Sequence, residues 1–188
     1  MMTVLNRTAI GYLWCAAFLA CVVLANYSIS HWGTLAFPGG PHTVTILGLT
    51  APSGVLFVGL SFTFRDLAQL RLGRLPILGA IVLGAGLSAV IASPELALAS
   101  GLAFAAGESF DFVCYTPLAE RGHWWSALVA SNTVGSAVDT TIFLWVAFGS
   151  LAFWSGQFWL KTLMVIPAVI VLLPFRRAGK LDFSTPEV

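Results

Sequence analysis

The sequence predicts an all-α membrane protein, a bundle of six transmembrane helices with both termini on the cytoplasmic side. Three observations lead there. The chain of 188 residues is 58% hydrophobic and only 9% charged, with a mean hydropathy of +0.90, whereas soluble domains carry about 25% charged residues. Its apolar residues gather into runs near the roughly 20 residues that a helix needs to cross the hydrocarbon core. Its basic residues alternate between the connections. Arg7 precedes the first run, and Arg65, Arg71 and Arg74 fall between the second and third or at the very end of the second. Arg121 lies between the fourth and fifth, and Arg176, Arg177 and Lys180 follow the sixth, while the other connections hold no Lys or Arg. Basic loops stay on the cytoplasmic side, which orients the bundle.

The helices are expected at about 8–28, 52–68, 76–92, 95–117, 124–148 and 151–174, in one domain over 1–188, with 175–188 as a short cytoplasmic tail. The first run follows Arg7 as a signal peptide would, but it continues beyond Leu19-Ala20-Cys21 without a convincing cleavage site and reads as a retained helix. Between the first two helices Pro38-Gly39-Gly40-Pro41 must turn, and Thr43-Val44-Thr45-Ile46 has the β-branched character of an extended segment. That segment is either a lid over a cavity or an ordinary loop covering helix ends. Pro52 suits the first turn of the second helix. Small residues recur one turn apart at Ala16–Ala20, at Ala17–Cys21–Ala25, at Ala80–Gly84–Ser88–Ala92 and at Ala127–Ser131–Gly135, a spacing that lets helices approach closely in lipid. Cys15, Cys21 and Cys114 lie in apolar runs and read as packing residues. A net charge of +1 without a basic patch excludes a nucleic-acid partner.

Function is carried by charge in the wrong place. Glu108, Asp111 and Asp139 sit inside apolar segments, where an ionised group costs roughly 2.5–3.5 kcal/mol on insertion scales. Glu108, Asp111 and Tyr115 share one helix face with Phe104, and Asn132, Ser136, Asp139 and Phe143 form a stripe on the next helix. A short connection makes these helices antiparallel neighbours, so the stripes converge on one mid-membrane cavity, to which Asn26 and Asp66 add. The acids point to a substrate site or to proton coupling; the plainer reading is protonated acids hydrogen-bonding between helices. Asp66 reads equally as a solvated pair with Arg65, and Asn26 and Asn132 equally as interhelical glue. Lys161, inside the sixth helix, either snorkels outward or balances the acids. Trp124, Trp125, Trp32, Trp154 and Trp159 suit the interfaces, whereas Trp14 and Trp145 are deeper and pack in the core or stack on a planar ligand.

Catalysis finds no support. His31, His42 and His123 all fall in connections, no two histidines share a helix face, and Ser131 and Ser136 have only Asp139 near them. No metal and no cofactor is expected.

Four segments resemble the queuosine precursor transporters, also called the vitamin uptake transporter family. They are Ala51-Pro52-Ser53-Gly54-Val55-Leu56 with Thr63-Phe64-Arg65-Asp66 and Arg71-Leu72-Gly73-Arg74; Ala103 through Asp111; Ser131 through Phe143 with Ala147-Phe148-Gly149; and Asn26 with Lys161. The chain departs from the family pattern at Leu70, Glu108, Ser136 and Ala127, where the family usually has Glu, Gln, Gln and Arg. The resemblance implies a six-helix transporter in the cytoplasmic (inner) membrane, similar in fold to the substrate-binding subunits of energy-coupling-factor transporters. The implied cargo is a 7-deazaguanine base, with a homo-oligomer or an energising subunit as possible partners. A guanine-like edge suits the residues independently: its adjacent N–H donors match a carboxylate, its carbonyl matches Asn26, Asn132 or Lys161, and its ring matches Phe104, Phe110, Phe143 or Tyr115. The alternatives are another small planar vitamin, carried by the chain alone or with an ATPase-driven partner docked at Ala16–Ala20, or a proton-conducting or structural membrane protein.

Overall fold

The computed structural model of the protein describes residues 4–91, 94–121 and 124–164. The order is α1 (Val4–His31), β1 (Thr34–Leu35), β2 (His42–Ile46), β3 (Leu49–Pro52), α2 (Val55–Leu72), α3 (Arg74–Ile91), α4 (Pro94–Glu120) and α5 (Trp124–Phe148). A sixth helix, α6, is helical over the described residues 154–164. The rest of that expected helix, 165–174, and the expected tail, 175–188, lie outside the described residues.

Each helix boundary has a local cause. α1 runs three residues beyond the expected 28 because nothing breaks it before Gly33, and His31 donates from Nδ1 to the Tyr27 carbonyl in its last turn (2.9 Å). α2 starts after Pro52, not at it, because Pro52 is still paired in a strand. It ends at Gly73, whose N–H bonds to the Gln69 carbonyl (2.8 Å) with φ at 80°. α4 opens on Pro94, whose missing N–H costs nothing in a first turn, and it continues through Pro117 to Glu120. α5 has the expected bounds and closes on Gly149, which donates to the Trp145 carbonyl (2.9 Å).

The all-α expectation is corrected between α1 and α2, where three short strands form an antiparallel sheet in the order β1-β2-β3. The extended character of 43–46 was legible; its pairing was not, because β1 is two residues long and β3 runs into Pro52. β2 and β3 join through Leu47-Gly48, both at positive φ (52° and 77°), the turn whose twist matches a hairpin. Thr45 and Thr50 pair across the strands through their hydroxyls (2.9 Å). The sheet is tied to the helices below. His42 donates from Nδ1 to the Ile29 carbonyl (3.2 Å), and Ser53 donates from Oγ to the Ser28 carbonyl (2.6 Å).

α1 packs along α2, α4 packs along α5, and α3 lies against both pairs. Small residues enter the helix contacts beside large ones: Ala25, Ala68, Ala80, Ala99, Ala103 and Ser88 are buried together with Ile77, Leu144 and Leu160, whereas Leu75, Val82, Leu83 and Val90 of α3 and Trp145 of α5 are exposed. A water-soluble domain would not leave so many large apolar groups outside. Small residues at the helix contacts and large apolar ones outside are the arrangement of a helical membrane protein. Among the described residues one helix, over Thr8–His31, is by length and composition apolar enough to cross a membrane, with shorter apolar stretches at Leu75–Ile91 and Thr133–Phe148. α2 and α4 contain Arg65, Asp66, Glu108 and Asp111 within their lengths.

α6 docks on the sheet through Gly156, where any Cβ would overlap the Thr50 carbonyl. Gly156→Val therefore forces α6 away from β3, and we expect a loss of about 1–3 kcal/mol, the usual cost of overpacking. Thermal unfolding of the purified variant in detergent measures it; an unchanged midpoint would show that α6 does not rest on the sheet.

Candidate functional site

A cavity of about 110 Å³ lies among the helices, well above the roughly 10–15 Å³ that one water needs. Each helix contributes: Asn26 from α1, Phe62 from α2, Ser88 from α3, Phe104 from α4, Asp139 and Phe143 from α5, and Gln157 and Lys161 from α6. Pro52, at the end of β3, lines it as well, so the sheet borders the cavity.

The strongest interaction in its wall is a buried ion pair. Lys161 Nζ donates to Asp139 Oδ2 and, at 3.3 Å, to Thr140 Oγ1. Lys161 is 2% exposed, Asp139 8% and Thr140 0%. The two readings of Lys161 are thereby decided: it is turned inward as a counter-charge and does not snorkel. Its ammonium also stands 5.9 Å from the centre of the Phe62 ring, within range of a cation–π attraction. The pair exists because α4, α5 and α6 come close at this level. Gly107 of α4 faces Asp139 so closely that an added Cβ would lie 3.0 Å from the Asp139 Cβ and 3.1 Å from the Gly135 carbonyl. Trp154, at the start of α6, donates from Nε1 to Thr141 Oγ1 of α5 (2.8 Å) and fixes the two helices one turn further along.

Arg65, expected after the second helix or at its very end, lies within α2, which runs on to Leu72. It is 7% exposed within α2, with its guanidinium 5.7 Å from the Phe62 ring centre and 5.6 Å from that of Phe104. Phe62 therefore stands between two cations, Arg65 and Lys161. Leaving that guanidinium out of the membrane-face count removes one basic residue from the connection after α2; Arg71 and Arg74 remain there.

Of the residues read as a site, Asn26, Phe104, Asp139, Phe143 and Lys161 share this cavity. Asn26 spends one amide N–H on the Val22 carbonyl (2.8 Å). Ser136 is not among the lining residues, and its Oγ is buried without a partner among the described residues. The side chains of Glu108, Asp111, Tyr115, Asn132 and Asp66 lie outside the described residues. Phe110 is 50% and Trp145 62% exposed, so neither stacks in the cavity. Trp14 stacks on Phe64 (5.6 Å between ring centres) and belongs to the packing of α1 on α2. Among the described residues no three His, Cys, Asp or Glu side chains gather where one metal ion would fit.

The sequence reading missed Phe62, Ser88 and Gln157. Gln157 stands one turn before Lys161 on the same face of α6, a spacing that was available. Ser88 was visible only as one member of a small-residue stripe. Both are buried, at 3% and 1% exposure, and Gln157 Oε1 and Ser88 Oγ have no hydrogen-bond partner among the described residues. A buried polar group left so costs roughly 1–3 kcal/mol.

Removing one partner of the Asp139–Lys161 pair leaves a buried charge alone, which costs about 3–5 kcal/mol. Asp139→Leu and Lys161→Met should each destabilise the protein by that order, and the double variant by far less than their sum. Unfolding free energies of the wild type, both single variants and the double variant in detergent measure the coupling; strict additivity would contradict the pair.

A family model described as "putative vitamin uptake transporter" matches residues 87–176. That stretch spans α4, α5 and the described part of α6, and so contains Phe104, Asp139, Phe143, Gln157 and Lys161. Searches of curated proteins and of solved structures found no match.

Proposed function

We propose that this chain, which carries the vitamin uptake transporter family's pattern over residues 87–176, imports a 7-deazaguanine queuosine precursor across the cytoplasmic (inner) membrane. The observation that carries the reading is the Asp139–Lys161 pair in the wall of a cavity lined by Phe62, Phe104 and Phe143. A flat base with polar edges matches that wall. Its adjacent N–H donors meet the Asp139 carboxylate, its carbonyl meets the Lys161 ammonium or the Asn26 amide, and its faces meet the phenylalanine rings. Such a cargo brings a donor and an acceptor to a buried pair, so the charges exchange part of their mutual attraction for contacts with the ligand and neither is stranded in a low dielectric.

In this reading α1 to α6 each span the bilayer, both termini are cytoplasmic, and 1–188 is one domain ending in a short tail. Proton coupling runs through Asp139, with Glu108 and Asp111 of α4 as further carriers. The protein moves its cargo without chemical change. A second reading keeps the fold and replaces the energy source: Ala16 and Ala20 of α1 are both exposed, a face open to an energising subunit or to a second copy, with another planar vitamin as cargo. Co-purification of an ATPase from the native membrane favours it.

The test is uptake of labelled 7-deazaguanine by cells lacking their own importer. We expect accumulation with the wild type and a loss of at least tenfold with Asp139→Asn at equal membrane expression. Absence of wild-type uptake from correctly inserted protein would discard the deazaguanine assignment.

A further inference from the structure

The Asp139–Lys161 pair accounts for only part of the cavity's polar wall. Gln157 and Ser88 line the same cavity from α6 and α3, are 3% and 1% exposed, and leave Oε1 and Oγ without partners among the described residues. Other polar groups of the same wall do make bonds within the protein. Asn26 bonds to Val22, Ser61 to Val58, and Lys161 to Asp139 and Thr140. A buried polar atom without a partner is a rarity in folded proteins, and a bound ligand or water is a standard explanation for one. Two such polar atoms in the wall of one cavity, one from α6 and one from α3, point to an occupant that supplies what they lack.

The spacing says what kind. Gln157 and Lys161 are separated by four residues of α6, about 6 Å along the axis, and lie on one face. A ligand touching both therefore carries polar groups about 6 Å apart, roughly the width of one fused ring system. Resting on the importer reading above, we propose that Gln157 and Ser88 form a second polar subsite of the cargo cavity. In it Gln157 Oε1 accepts an N–H of the cargo heterocycle and the Ser88 hydroxyl bonds to another of its polar atoms, while Asp139 and Lys161 hold a polar group about one turn further along α6. Both are specificity-determining residues: a cargo lacking the second N–H leaves Gln157 as unsatisfied as in the empty protein.

The experiment measures binding of 7-deazaguanine to the purified full chain in lipid nanodiscs, together with the ligand-free melting midpoint, for the wild type, Gln157→Leu and Ser88→Ala. Leucine keeps the volume of glutamine and removes only its polar atoms. The expected result for Gln157→Leu is a loss of affinity of at least tenfold with a ligand-free midpoint equal to or above that of the wild type, since no internal bond is lost. Ser88→Ala should behave alike with a smaller loss of affinity. Unchanged affinity in Gln157→Leu, with wild-type binding intact, would overturn the subsite and leave the importer reading standing. If the wild type does not bind 7-deazaguanine, the cargo assignment fails, and the ligand-free midpoint then decides the subsite. A fall in Gln157→Leu reveals an internal partner and overturns it; an equal or higher midpoint upholds an orphaned acceptor reserved for another N–H-bearing ligand.

Discussion

The contact between Lys161 and Asp139 sets the terms for the rest of the fold. Two opposite charges at 2% and 8% exposure are tolerable only if held together, because each alone in a low-dielectric interior costs more than most single interactions return. Holding them together requires α6 to reach α5 at one level and in one rotation. Trp154 meeting Thr141, Gly107 giving Asp139 room and Thr140 adding a second acceptor all serve that registration. The sheet serves it too. Gly156 seats α6 on the Thr50 carbonyl, and His42 and Ser53 fasten the strands to the end of α1, so the start of α6 is located before the chain reaches Lys161.

Such a pair is poor value as a stabilising device. A well-packed apolar pair of similar volume often does as well or better, and the neighbouring interior is apolar, with Leu144 and Leu160 fully buried. The charges border a cavity that also exposes Phe62, Phe104 and Phe143, beside two polar atoms with no internal partner. On the proposed reading, that cavity takes a small flat molecule with several hydrogen-bonding edges. The family match over 87–176 agrees with transport as the task.

Much of the fold was legible because hydrophobic run length is a strong signal in this chain. α5 was placed at its observed bounds, and α3 and α4 within a few residues. The misses have physical causes. Pro52 is equally at home as the first residue of a helix and the last of a strand, and only its pairing with Thr43 decides between them. β1, two residues long, has no periodicity to read. At the site, Asp139 was legible because a carboxylate in an apolar run is conspicuous, and its partner Lys161 was legible as one of two possibilities. Gln157 and Ser88 were not, since an amide near a helix start and a serine in a small-residue stripe look like packing until burial and the absence of partners are known. The burial of Arg65 was not legible, because sequence position near the end of a span does not say which way the side chain turns; its guanidinium lies near the rings of Phe62 and Phe104.

The central claim is that Asp139 and Lys161 read a cargo, not merely each other. Exchanging them, Asp139→Lys with Lys161→Asp, keeps an ion pair between α5 and α6 and reverses the charge each presents to the cavity. The measurement is uptake of labelled 7-deazaguanine by the exchanged protein, with its folding checked by thermal unfolding in detergent. The account predicts a folded protein that accumulates no substrate, because the carboxylate no longer stands where the N–H donors arrive. Uptake at the wild-type level would contradict it and reduce the pair to a structural clasp.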